Sequence, residues 1–420
     1  MLQTMELRPG VQLSCIRDPR FKQGCLSLHI PRMMGQEAGL NALLTTVLLR
    51  GTREHPDLRA ITQCLDTLYG AAISPQVRRM GDYQTTGFYC AFMDDRFALP
   101  GDQVLAPMTD FLGEVLLRPR LREGCFLPEI VESEKKNLIS TIDSSLNDKR
   151  AYALQRLLKI TCPEDSFSQP RLGTREQVGA ITPELLMEHY QKILRESQIR
   201  LFYVGSQDAE RVAELLGPVV AGMDRDVRPL PQSRPFAPGE KKDLTETMEI
   251  TQGKFCMSFT TEITNMDPGF PAMQLFNVIL GGGMTSKLFM VIREKLSLCY
   301  SISTSYHGSR GLLLLSAGID FQRDGEVREE VLRQLRLCQE GHITEQELTA
   351  AKNAILSSLR AVHDSPGAME NFYTSQLIAG TRLTHAQYME AVAAATTEDV
   401  VAAANGVRLH STYFLRGERE

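Results

Sequence analysis

The sequence predicts an α/β (α+β) chain of two homologous halves, each a largely antiparallel sheet covered by helices. Three observations carry this expectation. At 420 residues the chain exceeds what one hydrophobic core usually serves. Near its middle, Gly222 to Leu244 reads GMDRDVRPLPQSRPFAPGEKKDL, where Pro229, Pro231, Pro235 and Pro238 sit among many charges, a composition that makes neither a regular helix nor a central strand. On either side of that stretch the same order of elements can be traced. The expected organisation is a first domain over 1–221, a linker over 222–244 and a second domain over 245–420.

In the first half, Val11 to Ile16 and Cys25 to Ile30 alternate as strands and Ala38 to Leu49 follows as an apolar helix. A second helix opens after Pro56, with Leu58, Ile61, Leu65 and Leu68 at spacings of three and four that predict one buried stripe. Strands follow around 71–77 and 85–92. In the second half, Phe255, Met257 and Phe259 alternate on a strand, and a helix over 271–280 runs into Gly281, Gly282 and Gly283. A helix over 285–295 then leads to strands near 300–306 and 312–319. The ends of the halves also agree. Thr182 and Pro183 open a helix that leads to IRLFYVG. Thr397, Glu398 and Asp399 open one that leads to LHSTYFLRG. Threonine with acidic residues suits a helix start, because the hydroxyl caps free amides and the carboxylates complement the dipole.

Composition narrows the function classes. Hydrophobic residues at 43% and charged residues at 23% are ordinary globular values and argue against disorder. A net charge of −5 gives no long-range attraction to nucleic acid or to an anionic membrane surface. The N-terminal sequence MLQTMELRPGVQLSCIRD has no basic segment followed by an apolar run, and no stretch approaches the roughly twenty apolar residues of a membrane span. The expected compartment is the cytoplasm. The nine cysteines are scattered and never form a Cys-x-x-Cys pair, so most should be small buried hydrophobes.

The segment from Gly39 to Thr52, GLNALLTTVLLRGT, has the frame of a zinc-peptidase helix without its chemistry. It resembles the signature of the pitrilysin and insulinase family of metallopeptidases, in which His-x-x-Glu-His precedes a hydrophobic patch and Gly-Thr. Counting back from Gly51 and Thr52, Ala42 and Thr46 fall where the family has zinc-binding histidines, and Thr45 falls where it has the general-base glutamate. A methyl group and two hydroxyls cannot stand in for imidazoles and a carboxylate. The family's third ligand lies on a later helix, best matched by Val131 to Ile142, VESEKKNLISTI. Glu134 there takes the place of a supporting carboxylate and Thr141 the ligand place. The long connection over 94–124 means that Thr141 rests on this local match. Glu132 and Glu134 read as solvated residues on a charged helix face, and His55 as an exposed turn residue before Pro56. No two of the eight histidines lie three or four apart, so no helix offers a two-histidine ligand face.

The second half carries the positive signal. Gly281 to Tyr306, GGGMTSKLFMVIREKLSLCYSISTSY, resembles the family's non-catalytic domain, where a glycine-rich turn precedes a helix, an Arg-Glu pair and a tyrosine. Arg293 and Tyr300 match the residues with which that family holds substrate backbone and polarises the scissile carbonyl, and a guanidinium and a phenol are donors suited to an oxyanion. The glycines read as a tight helix–helix turn or a peptide-contacting loop. The P-loop spacing is not met, so a nucleotide is not expected.

The resemblance covers essentially the whole chain and implies the paired α/β halves of processing-peptidase-like proteins. Its closest likeness is to the bacterial zinc-free group, through EKKNL and the long helix expected over 147–157. It implies no metal or cofactor of the chain's own. The implied role is a non-catalytic subunit of a heterodimeric zinc peptidase, enclosing an extended peptide or small protein and supplying Arg293 and Tyr300 to a zinc-containing homologue. The alternative is a peptide-binding or scaffold protein that kept the fold without proteolysis.

Overall fold

The computed structural model describes residues 2–163, 165–232, 236–380 and 383–418. In chain order the first half begins with strands β1 (Leu2–Arg8), β2 (Val11–Arg17) and β3 (Gln23–Met33), then helices α1 (Ala38–Leu48) and α2 (Leu58–Thr67). Strands β4 (Ala72–Met80) and β5 (Tyr83–Met93) lead to α3 (Leu105–Leu117), the short hairpin β6 (Leu121–Arg122) and β7 (Cys125–Phe126), and α4 (Pro128–Asn147). Next come α5 (Lys149–Thr161), α6 (Arg175–Gly179), α7 (Pro183–Glu196), β8 (Ile199–Gly205) and α8 (Ala209–Ala221).

The second half contains β9 (Asp243–Met248), β10 (Gly253–Thr260), α9 (Phe270–Leu280), a π-helix over Phe289–Lys295, β11 (Ser301–His307) and β12 (Leu312–Ile319). It continues through α10 (Asp324–Gln339), α11 (Glu345–Ala361), α12 (Pro366–Ala379), α13 (His385–Ala394) and α14 (Thr397–Asn405) to β13 (Arg408–Gly417). Between α8 and β9 the described residues form no helix or strand, and 233–235 of the expected linker lie outside them.

Two compact units result. The first comprises Met1–Asp143, Pro170–Ser233 and Val362–Ile378, and the second Ser144–Gln169, Arg234–Ala361 and Ala379–Glu420. Each is built on one mixed, mostly antiparallel sheet, ordered β1-β2-β8-β3-β5-β4 in the first and β11-β12-β10-β13-β9 in the second. Each sheet has one parallel pair, β2 with β8 and β13 with β9. Alternation along the strands sends one set of side chains to each face. In the first unit Leu13, Leu26, Leu28 and Phe88 pack against Leu43, Met108, Leu186 and Val212 from four helices. In the second, Phe255, Met257, Leu313 and Leu315 meet Phe276, Val331 and Ala403.

The opposite face of each sheet is covered from elsewhere in the sequence. Met369 of α12 packs on Cys25, Phe202 and Val204 of the first sheet. Ala153, Leu157 and Leu158 of α5 pack on Cys256, Leu314 and Tyr413 of the second. In the first unit the cover is fastened by charge. Glu370 of α12 is fully buried and accepts from His29 Nε2 at 2.6 Å, Ser27 Oγ at 2.9 Å and Arg78 Nη1 at 2.9 Å. Burial alone would raise its pKa, but the His29 and Arg78 bonds and charges outweigh that and hold it at about 2.

Several local readings need correction. The stripe of the second helix is incomplete, because Ile61 and Leu68 are buried while Leu58 is 47% exposed. The helix expected over 147–157 is interrupted. Asp148 accepts from the amides of Arg150 and Ala151 as an N-cap, so α4 stops and α5 starts anew. The last helix is capped by Thr396, whose hydroxyl accepts from Asp399 N in a capping box, one residue before the expected start. The helix expected over 285–295 is a π-helix for most of its length. Seven cysteines are buried and two half-buried, all free, as small hydrophobes should be.

Replacing Glu370 with Ala should cost about 3–5 kcal/mol in chemical denaturation at pH 7, the usual penalty for breaking a buried ion pair. Because the folded-state pKa lies below the ordinary value, the pair's stabilisation is present above the unfolded carboxyl pKa and is lost as pH falls toward about 2. The advantage of the wild type over Glu370→Gln should therefore shrink across that acid window, which denaturation series at stepped pH would measure.

Candidate functional site

The helix in the zinc-peptidase frame is α1, and its side chains are committed to the fold. Ala42 is 1% exposed within the core. Thr45 Oγ1 donates to Asn41 O at 2.8 Å and Thr46 Oγ1 to Leu43 O at 3.0 Å, so both hydroxyls are bonded to their own helix. One residue before Ala42, the buried Asn41 side chain donates from Nδ2 to Gln84 Oε1 at 2.7 Å, and its amide oxygen Oδ1 lies 2.8 Å from His189 Nε2. That oxygen only accepts, so His189 is the donor and holds its proton on Nε2. Burial, opposed by Glu37 and assisted by Arg32 and Lys192, lowers the His189 pKa to about 4 and keeps the ring neutral. The sequence reading missed this neutral network, whose members lie 43 and 148 positions apart in the chain.

Glu134 corrects an expectation. It is 4% exposed, not solvated, and receives Arg50 Nε at 2.7 Å and Asn137 Nδ2 at 3.0 Å. Arg50 stands immediately before Gly51 and Thr52, so the carboxylate of α4 is tied to the end of the zinc-frame segment. Glu132 is exposed and pairs with Lys135 at 2.8 Å, as a solvated helix face should. Thr141 is exposed and donates to Asn137 O at 3.0 Å.

The Gly-Thr frame has its own physical reason. A Cβ on Gly51 would sit 2.5 Å from the Pro56 carbonyl oxygen, so only glycine allows that approach. Thr52 Oγ1 bonds buried Glu114, which also meets His55 Nδ1 at 2.8 Å. His55 is thus a half-buried partner of Glu114 and not an exposed turn residue.

No three His, Cys, Asp or Glu side chains converge as metal donors among the described residues. Ala42, Thr45, Thr46 and Thr141 do not fit zinc, and the carboxylate of Glu134 is bonded to a guanidinium.

The glycine–arginine–tyrosine segment lies in the second unit. Gly281 caps α9, donating to Asn277 O at 3.0 Å, and accepts from Thr304 N of β11 at 2.9 Å. A Cβ there would be 2.7 Å from the Thr304 side chain. Gly282 also donates to Asn277 O, at 2.9 Å, whereas Gly283 has open space around it. The turn is therefore stapled at its first residue and accessible at its third, joining α9 to the π-helix without nucleotide-loop geometry. Five-residue hydrogen bonding, as in Leu296 N to Val291 O at 2.9 Å, widens the next turn. Arg293 lies on it, 41% exposed, with its guanidinium carbon 4.6 Å from the centre of the Phe289 ring and 3.7 Å from Glu294 at its nitrogen. Tyr300 is 59% exposed, and its hydroxyl donates to Asp320 Oδ1 at 2.9 Å. Met284, Met290 and Leu296 are also exposed, giving the segment apolar as well as polar groups.

Comparison with known proteins agrees with this picture. Residues 180–355 match the family model described as the peptidase M16 inactive domain. A probable inactive metalloprotease of Bacillus subtilis, YmfF, is 27% identical over 96% of this chain and 99% of its own. A conserved protein from Enterococcus faecalis has a crystal structure similar at a TM-score of 0.91, with 27% identity over 100% of this chain and 99% of that one. A peptidase M16 inactive domain from Pseudomonas fluorescens shares the fold at a TM-score of 0.83, with 17% identity over 99% and 98% of the two chains. The chain is thus similar to the peptidase M16 inactive domain over 180–355 and, over nearly its whole length, to a probable inactive metalloprotease. No helix among the described residues is long and apolar enough to cross a membrane.

Two measurements test the zinc-frame region. Elemental analysis of the chain purified without chelator should find no stoichiometric zinc. Arg50→Ala should lower unfolding stability by about 1–3 kcal/mol, because it leaves buried Glu134 without its charge partner; an unchanged denaturation midpoint would refute the tie.

Proposed function

We propose that the chain is a non-catalytic subunit of a zinc peptidase assembly, which encloses an extended peptide and presents Arg293 and Tyr300 to substrate held at the zinc centre of a homologous partner. The observation that carries this reading is the contrast between the two halves. At the zinc frame every candidate position is apolar, bonded within its own helix or closed by an ion pair. At the glycine-rich segment the polar groups remain exposed. Decay of function alone gives no reason for that difference.

Chemistry supports the assignment of roles. The carboxylate of Glu294, the ion-pair partner of Arg293, stands 3.7 Å away, beyond hydrogen-bond distance, so the planar set of donors is available to a peptide carbonyl. Gly283 leaves room for a backbone to pass, and Met284 and Met290 offer flexible apolar contacts that suit varied side chains. A peptide bound in extended form is read mainly through its backbone, which these groups can meet.

Co-expression with a homologue that carries an intact His-x-x-Glu-His helix should yield a stable complex that cleaves peptides. In that complex Arg293→Ala or Tyr300→Ala should reduce turnover by about tenfold or more, the scale of losing one hydrogen bond to a charged or developing group, with assembly measured by size-exclusion chromatography unchanged. Normal turnover by both variants in an intact complex would remove the proposed contribution and leave the scaffold reading.

A further inference from the structure

The two sheets differ by one strand. Read from opposite ends, β2-β8-β3-β5-β4 of the first matches β9-β13-β10-β12-β11 of the second, with β2–β8 and β9–β13 as the parallel pairs. The first sheet continues beyond β2 to β1, which lies antiparallel to it, and α8 packs over both strands. Among the described residues β9 has no strand neighbour but β13, and no helix follows β13 as α8 follows β8. The second unit thus has an open edge where the first carries another strand.

The register shows what that edge presents. Gly24 of β3 and Gly253 of β10 each face an aromatic ring and a strand carbonyl, and superposing them sets Leu13 and Cys15 of β2 against Asp243 and Thr245 of β9. Leu13 and Cys15 lie in the first core, whereas Asp243 and Thr245 are exposed. Thr412 N donates to Lys242 O at 3.0 Å. In a parallel ladder the residues bonded to one neighbour alternate along the strand, so Asp243, Thr245 and Thr247 turn their backbone N–H and C=O groups outward.

We propose that β9 is a self-association edge, at which a second copy of this chain adds its own β9 antiparallel and joins the two sheets through a two-fold axis. Unpaired strand edges are templates for such pairing, and a two-fold contact needs a surface that complements itself. The antiparallel sense is the one in which β1 lies on β2. One register brings all three outward residues into hydrogen-bonded pairs, Thr245 opposite its own copy and Asp243 opposite Thr247. The same register sets Lys241 of each copy opposite Glu249 of the other. Both are exposed, and neither takes part in an ion pair among the described residues. A slide of two residues sets Glu246 against its own copy in one direction and parts Lys241 from Glu249 in either, so charge selects the register. Paired threonines suit the centre, since hydroxyls bond across strands as Thr4 and Ser14 do at 3.2 Å between β1 and β2. One pair of short strands falls short of the roughly 1,200 Å² of a standard stable interface, so the dimer is reversible and grows with concentration. This surface adds to the proposed function and does not depend on it.

Sedimentation velocity of the full-length chain over a series of concentrations is the test. The wild type should pass from monomer to dimer as concentration rises. Lys241→Glu and Glu249→Lys should each weaken self-association about tenfold, because two opposite-charge contacts become like-charge ones. Mixed in equal amounts, the two variants should associate as the wild type does, since the reversed charges then meet across the axis. Thr245→Pro removes an outward N–H and spares the ladder to β13, so it should remain monomeric with the circular dichroism of the wild type. A wild type that stays monomeric at every concentration overturns the proposal. So does a dimer that survives both single reversals, or a mixture of the two that associates no better than either alone.

Discussion

A carboxylate with no exposure to water must be met by donors wherever the chain can bring them, and Glu370 sets that requirement for the first unit. Its partners come from two strands, His29 and Ser27 on β3 and Arg78 on β4, while Glu370 itself arrives on a helix more than 290 residues later. A buried ion pair adds less net stability than a well-packed apolar contact of the same volume. Its strength lies in discrimination, since any other placement of α12 on that sheet would leave a charge buried without a partner. Arg20, whose guanidinium donates to His363 O at 3.1 Å, fixes the start of the same segment.

The second unit meets the same topological requirement by placing a neutral hydroxyl pair where the first has its ion pair and by tying α5 down with charge elsewhere, Arg156 Nε donating to Glu246 Oε2 of β9 at 3.1 Å. Gly24 of β3 and Gly253 of β10 occupy equivalent places, each with its missing side chain filled by an aromatic ring and a strand carbonyl, Phe92 with Val204 and Phe414 with Ile319. Five residues after each glycine stands the strand residue that bonds the covering helix. In the first unit it is His29, bonded to Glu370 of α12. In the second it is Ser258, whose hydroxyl lies 2.8 Å from Thr161 Oγ1 of α5. Two copies of one architecture have kept the position of the bond and changed its chemistry from ionic to hydroxylic.

This arrangement explains what the sequence made legible and what it did not. Strand alternation and helix periodicity are local, so β2, β3, β5, β10 and β12 and the helices α1, α7 and α9 could be read from neighbouring residues. The zinc-frame segment was legible for the same reason, because Gly51, Thr52 and the positions counted back from them lie within one helix and one turn. The exchange of α5 and α12 was not, since an amphipathic helix carries no mark of which sheet it will cover. Glu134 was misread on the same ground. Its i+3 neighbour Asn137 was in view, but its charge partner Arg50 lies on another element, and a charged helix face looks alike whether water or a guanidinium meets it.

The survival of the Gly-Thr frame without the metal also follows from packing. Gly51 is required by the Pro56 carbonyl and Thr52 by buried Glu114, so both serve the connection from α1 to α2 irrespective of zinc. Arg50 gives Glu134 the charge it needs when no metal is near. Once those contacts hold the helix, the ligand and general-base positions are free to take residues that pack or bond within the fold: Ala42 is buried in the core, and Thr45 and Thr46 donate to carbonyls of their own helix. Restoring histidines at 42 and 46 alone would therefore not rebuild a zinc site. The supporting carboxylate is already engaged by Arg50, and Thr141 supplies a hydroxyl where the third ligand would need a carboxylate.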